Sequence, residues 1–352
     1  MHLSNKMGIF AENINKKITV RNYTIIILSV LLCACRGHVT KEQEQAGYAT
    51  PEFGSEQSVA VADSVVIAEQ FKTYNWKVGD GRLAVQDMSN KDILKVYSWP
   101  GGERIMSGVN QGQGPDEFVA VNGGDAAKTS QMLLYDMMKR RTIVYDTSGD
   151  SIFSTSIYDL PTDNGMPYPY TYISQINDSL FVMKMDMPMK SSWQLANLKT
   201  GHIDWEYVNP LIGEAEIYTP FDFIQCVDGP TLAVAYRYIN LVELYEFIPE
   251  KGLVLKSKYG LPDNQEDIED YDDLRYYNLA ATVINGKLYC LRSADGGEEG
   301  NVVEVYDLAK REPLKRIVLD RAVTDLRSDP QGRLVGYAPN EETSVFYIWN
   351  VK

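Results

Sequence analysis

A chain of 352 residues in which 44% of side chains are hydrophobic has material for a large core and little for long disorder. With 34 basic residues against 48 acidic ones, its net charge of −14 argues against a nucleic-acid partner, whose phosphates call for a basic surface. Three His and four Cys likewise argue against a zinc cluster or a His-based catalytic centre.

The first element is an address. Lys16, Lys17 and Arg21 precede an apolar run from Tyr23 to Ala34, about 12 residues where a bilayer-spanning helix needs about 20. A basic region, a short apolar region and a small residue before the cut predict a secretory signal over residues 1–34. Leu32-Cys33-Ala34-Cys35 resembles the bacterial lipobox, which implies lipid attachment at Cys35 and a body held on the cell envelope, at the outer membrane and outside the cytoplasm. Cys33 is the poorer site because bulky Leu32 would precede it, and Met7 is an alternative start. Cutting after Ala34 removes a net +3 and leaves 318 residues at −17. No later stretch reaches 18 apolar residues. Residues 35–55 hold the lipidated Cys and a segment poor in aliphatics, expected to be a flexible tether with a reach of about 25 Å.

The body, residues 56–352, repeats. A turn followed by x-Leu and a short apolar strand recurs at Gly81-Arg-Leu83, Gln131-Met-Leu133, Asp178-Ser-Leu180, Pro230-Thr-Leu232, Gly286-Lys-Leu288 and Gly332-Arg-Leu334. The Leu positions are 50, 47, 52, 56 and 46 residues apart, a period that marks a repeat architecture. Each motif is followed by a second β-rich segment: Ile93–Tyr97, Thr142–Asp146, Trp193–Asn197, Leu241–Tyr245, Val302–Tyr306 and Val345–Trp349. Alternation bounded by turn residues predicts strands, and no amphipathic helix interrupts them. Four short strands per fifty residues, six times over, predict an all-β, six-bladed β-propeller. A two-domain β-sandwich would give no constant period. The last repeat ends directly after its third strand, so Ser58–Ala62 or Val65–Ile67 is expected to supply its fourth from the other terminus.

In the second repeat, Gly112-Gln-Gly114-Pro115-Asp-Glu117-Phe118 resembles the Gly-x-Gly-Pro-Gly-Glu-Phe loop of NHL-type and TolB-like six-bladed propellers, with Asp116 in place of the last Gly. Leu133–Asp146 resembles the NHL strand-turn-strand. With the lipobox, the chain is similar to TolB-like propeller lipoproteins of Gram-negative bacteria. That resemblance implies a fold and a location and no settled activity. Gly112, Gly114, Pro115, Glu117 and Phe118 are read as a structural loop, the Gly residues permitting a tight blade-to-blade crossing at positive φ and Glu117 accepting backbone N–H bonds.

Catalytic candidates are few. His202, the one His of the body, falls in a turn, and nothing marks it as a catalytic base. Cys226 and Cys290 fall on different strands of different repeats and are expected to be buried separately. The acidic run from Asp263 to Asp273 lacks the Gly and terminal Glu of an EF-hand and reads as a solvated loop, as does Asp295–Gly300. The loops entering the inner strands are rich in aromatics. In a propeller these loops ring one mouth of the channel, which makes Tyr170, Phe221, Arg275, Tyr277, Asn278 and Asp325 the candidate ligand-facing residues.

Three functions compete. The first is a non-catalytic binding or scaffold protein that holds a partner protein, peptide or glycan in its channel mouth, with no cofactor. The second is a Ca2+-dependent hydrolase or lyase resembling six-bladed lactonases, with Asn122, Asp222, Asn278 and Asp325 around the ion. The third is a sensor or assembly module whose acidic body engages a basic partner.

Overall fold

The computed structural model describes residues 47–351, apart from residue 90 and segments 164–165, 188–189, 209–221 and 261–273. Six antiparallel sheets follow one another along the chain. Blade one is built from Thr73–Gly79, Arg82–Asp87, Asp92–Ser98 and Arg104–Asn110, and blade two from Val121–Gly124, Gln131–Asp136, Arg141–Asp146 and Phe153–Asp159. Blade three holds Tyr170–Gln175, Leu180–Met187, Lys190–Asn197 and His202–Val208; blade four holds Phe223–Asp228, Thr231–Tyr236, Leu241–Ile248 and Gly252–Gly260. Blade five holds Asn278–Ile284, Lys287–Arg292, Gly300–Asp307 and Glu312–Val323. Blade six takes Asp325–Ser328, Leu334–Pro339 and Ser344–Trp349 from the C-terminus and Asp63–Ile67 from the N-terminal segment. This is the all-β, six-bladed propeller that the repeat predicts.

Every turn-Leu motif marks the hairpin between the first and second strands of a blade, and each later β-rich segment falls on a third strand. Asn285 and Gly286, the turn before Leu288, both have positive φ, which suits a two-residue hairpin to the twist of its strands. Second and third strands are buried on both faces because blades stack on either side of them, so they read as apolar runs. Outer strands are largely exposed, Phe153 and Ile157 among them. Six apolar clusters lie among the described residues, one at each interface between neighbouring blades.

The N-terminal segment wraps the rim. Asp63–Ile67 pairs antiparallel with Ser344–Ile348, so of the two expected closing strands the second does the work. The first, displaced, lies elsewhere: Glu56–Val59 runs parallel to Arg316–Leu319 on the outer edge of blade five. Tyr48 and Ala49 add in the same way to Lys258 and Tyr259 of blade four. Residues 47–55, expected in the tether, therefore lie against the body. Phe53 packs edge-on against Tyr306 (5.6 Å) beneath the Arg316 guanidinium (4.7 Å), and the Gly54 N–H donates to Leu314 O (3.1 Å). These contacts hold a segment whose composition alone reads as loose.

Two further expectations change their physical basis. Gly112 and Gly114 are not at positive φ; a Cβ on Gly112 would stand 2.1 Å from Glu117 Oε2. The glycines make room for that carboxylate, which accepts the Gly114 N–H (2.8 Å). Arg141 donates to the carbonyls of Pro115 and Glu117 (2.6 and 2.8 Å) and lies over the buried Phe118 ring. Cys226 and Cys290 are buried and unbonded, but they share one cluster, because the ring sets the inner strand of blade four against blade five. Burial pushes the Cys226 thiol up to about 12 and the Cys290 thiol well above its usual range, so neither is a ready nucleophile.

The closing strand tests the ring. Ile67 is 2% exposed and Val66 58% exposed, one residue apart on opposite faces. Ile67→Ala is expected to cost about 2–5 kcal/mol in urea denaturation, whereas Val66→Ala should stay within about 0.5 kcal/mol. Equal effects would mean that the strand does not close the ring.

Candidate functional site

The inner strands do not line the channel evenly. Blade two begins with only four residues, ending in Gly123–Gly124. A Cβ on Gly124 would stand 2.3 Å from Ile173 O, so only glycine lets the inner strands of blades two and three come this close. Just beyond it, the Asp125 N–H donates to Ile173 O (2.9 Å) and Asp125 O accepts from the Gln175 N–H (2.8 Å). This pinch closes one side. Blades three to six are left to surround a cavity of about 560 Å3 at the mouth where inner strands begin. A second cavity of about 350 Å3 opens at the other end, lined by Lys77, Asp125, Ser174, Cys226 and Thr282 among others.

Arg327, on the inner strand of blade six, lines both cavities. It reaches Asp125 on the far side of the channel (Nη1–Oδ1, 3.5 Å) and Asp325 on its own strand (Nε–Oδ2, 3.6 Å). Tyr172 lines the mouth cavity, and burial, with Asp125 adding to it, holds its hydroxyl well above the ordinary range. Burial works against the Arg327 cation, but Asp325, Tyr172 and Asp125 outweigh it and keep it charged. Asp325 is already committed: Oδ2 accepts the Trp76 indole N–H (2.7 Å) and Oδ1 accepts the Leu326 N–H (2.7 Å).

A second ionic group lines the same cavity. Asp222 accepts from Lys184 Nζ, the Phe223 N–H (2.9 Å) and Arg237 Nε (3.0 Å). Burial would raise its carboxyl, but Lys184 and Arg237 overcome that and hold it below the ordinary carboxylate range. Lys184 also donates to Phe223 O (3.0 Å) and lies 4.3 Å over the Phe223 ring. Arg237 Nη1 donates to Leu279 O (2.9 Å). Leu279 occupies a bulge, where the inner strand of blade five slips register between Asn278 and Ala280.

Of the sequence candidates, Asp325 lies on the mouth wall, as does Asp222 from the calcium set. Tyr170 does not: it is fully buried between blades, with its hydroxyl donating to Gln194 Oε1 (2.7 Å). A bulge between Tyr170 and Tyr172 breaks the alternation, sending Tyr170 into the core and Tyr172 to the channel. Asn278 is also buried, donating to Tyr236 O (2.6 Å) and accepting from Arg292 (3.0 Å). Tyr277 sits under the Arg292 guanidinium (5.7 Å), and Arg275 is exposed, packed along Gly296. Phe221 and the acidic run 263–273 lie outside the described residues. Exposed His202 begins the outer strand of blade three and pairs with Asp204 (2.9 Å), away from either cavity.

Sequence reading misses Tyr172, Lys184, Arg237 and Arg327. The signal for Arg327 is its place two residues after Asp325, on the same face of a short strand. Lys184 and Arg237 belong to or follow second strands, and only the packing of blades brings them to the wall. The calcium set does not fit a cation. Asn278 is spent on the fold, Asn122 lines neither cavity, and Asp222 and Asp325 are each held by cationic or N–H donors. Among the described residues, no three His, Cys, Asp or Glu side chains are grouped to hold a metal.

Comparison with known proteins bears on the fold. A family profile described as TolB-like 6-blade propeller-like matches residues 50–331. No curated protein matches the chain. Among solved structures, a DUF4221-family member from Bacteroides vulgatus is similar at TM-score 0.53 and 12% identity, over 84% of this chain and 98% of that one. A candidate exported protein from Bacteroides fragilis is similar at TM-score 0.54 and 11% identity, over 84% and 99%. At these identities the likeness is one of fold.

Lys77, in the second cavity, donates to Ala126 O (2.7 Å) and Lys128 O (2.8 Å). Burial brings its ammonium down to about 8 from 10.5, with Asp125 raising it and Arg327 lowering it further. Below pH 8 the fold carries the cost of the buried cation. Between 8 and 10.5 only the unfolded chain takes up the proton, so the folded state gains as pH rises. The stability of wild type relative to Lys77→Met should therefore be flat below about pH 7 and climb from about pH 8 to 10. Urea melts of both proteins across that range measure it, and a level difference would contradict the assigned burial.

Proposed function

The chain belongs to the TolB-like six-bladed propeller family, and from that premise we propose that it is an envelope-anchored, non-catalytic binding protein. Its mouth cavity holds a segment of a partner protein, peptide or glycan. Cys35 carries the lipid. Tyr48 and Ala49, thirteen and fourteen residues after that Cys, already pair with the outer edge of blade four. The exported character of the Bacteroides fragilis relative agrees with a body outside the cytoplasm.

One observation carries the binding role: the ionic group Lys184–Asp222–Arg237 on the cavity wall. Replacing a buried ion pair by packed hydrophobic residues is often neutral or stabilising, so fold stability alone gives no reason to keep one here. The same residues present fixed charge to a space large enough for a ligand.

Thr171 lies exposed at the rim, in the bulge between Tyr170 and Tyr172. Thr171→Trp should fill the mouth and abolish binding on glycan and peptide arrays without changing the melting curve. Retained binding would move the site elsewhere. Radiolabelled palmitate fed to cells expressing the chain should enter the wild type and Cys33→Ala but not Cys35→Ala. Label retained in Cys35→Ala would remove the anchor from the proposal.

A further inference from the structure

The mouth cavity has spent its carboxylates and kept some of its cationic donors. Asp222 takes three donors and Asp325 two, so both carboxylates are engaged on each oxygen. The cations are less fully used. Arg237 binds through Nε and Nη1, and its Nη2 has no partner among the described residues. Arg327 approaches its two carboxylates only at 3.5 and 3.6 Å, beyond the span of a good hydrogen bond, and its Nε makes none. Both side chains keep access to the cavity, at 34% and 21% exposure, and they stand on blades four and six. Lys184, Arg237 and Arg327 balance Asp222, Asp325 and Asp125, in contrast to the chain's overall acidity. That acidity acts weakly here, because charges more than about 8 Å away are screened at physiological salt.

Beside the cations lies an aromatic surface. Tyr238 lines the cavity and packs on Tyr276 with ring centroids 5.0 Å apart. The negative face of an aromatic ring suits the C–H face of a pyranose. Guanidinium groups suit a carboxylate, which accepts two parallel N–H bonds.

Resting on the reading of this cavity as the binding site, we propose that it takes an acidic sugar, its carboxylate held between Arg237 and Arg327 and its ring against Tyr238. A neutral sugar would leave the two guanidinium groups as they are, and a peptide carboxylate would gain little from the aromatic surface.

The test is calorimetric titration of the mature chain with methyl β-D-glucuronoside and with its methyl ester, which keeps the ring and removes the charge. The acid should bind at least tenfold more tightly than the ester. Arg237→Gln should erase that difference, and Arg237→Lys should restore part of it. Lys184 still pairs with Asp222 in both variants, and near-UV circular dichroism checks that they fold. Equal affinity for acid and ester would overturn the carboxylate grip while leaving a sugar-binding cavity in place. Binding of Gly-Gly-Ala as the free acid, with neither sugar bound, would overturn the sugar and keep the cavity. If none of these probes binds, the acidic-sugar assignment is wrong. If in addition Thr171→Trp leaves array binding intact, the cavity reading falls with it.

Discussion

The pairing of Asp63–Ile67 with the last strand of the chain is the constraint on which the rest of this molecule depends. A blade buries its apolar faces only against its neighbours, so an open ring would leave one face of blade one and one face of blade six in water. The closing strand brings Val65 and Ile67 into the cluster that joins those two faces, with Trp76, Trp99 and Phe346. Trp76 packs edge-on against Phe346 at 5.1 Å, and its indole N–H reaches Asp325 across the joint. Closure therefore does two things with one residue. It seals the core and fixes the carboxylate that stands beside Arg327 in the channel.

The channel's asymmetry follows from how closely inner strands approach. At blades two and three, Gly124 lets two backbones exchange hydrogen bonds through Asp125, and the channel is pinched there. Inner strands also carry bulges where they begin. They turn single residues out of register in blades one, three and five. The bulged Leu279 presents its carbonyl to Arg237, so an irregularity of the sheet becomes a fixed point for a charged side chain. Each buried charge is answered locally, which low-dielectric surroundings require.

Much of the fold was legible because propeller blades repeat. The turn-Leu hairpin and the apolar third strand need the same residue types six times, and six copies carry a signal that one does not. The site was less legible. Position in the repeat puts Tyr170 and Asn278 at the channel, yet both serve the blade interface. Strict alternation would have put Tyr170 and Tyr172 on one face, and a single bulged residue separates them. Lys184 and Arg237 carry no local mark, since a lone cation after an apolar stretch is ordinary in any surface strand.

The sequence by itself determined the number of blades, the hairpin positions and the need for an N-terminal strand to complete the last sheet, because strand periodicity and turn chemistry are local properties. It also placed Gly112 and Glu117 in one structural loop. Only the tertiary structure decided which N-terminal strand closes the ring and how far the preceding residues wrap its rim. It alone decided which polar side chains meet at the mouth. Those choices depend on contacts between residues as far apart as Trp76 and Asp325 or Asp125 and Arg327, which nothing nearby in the chain encodes.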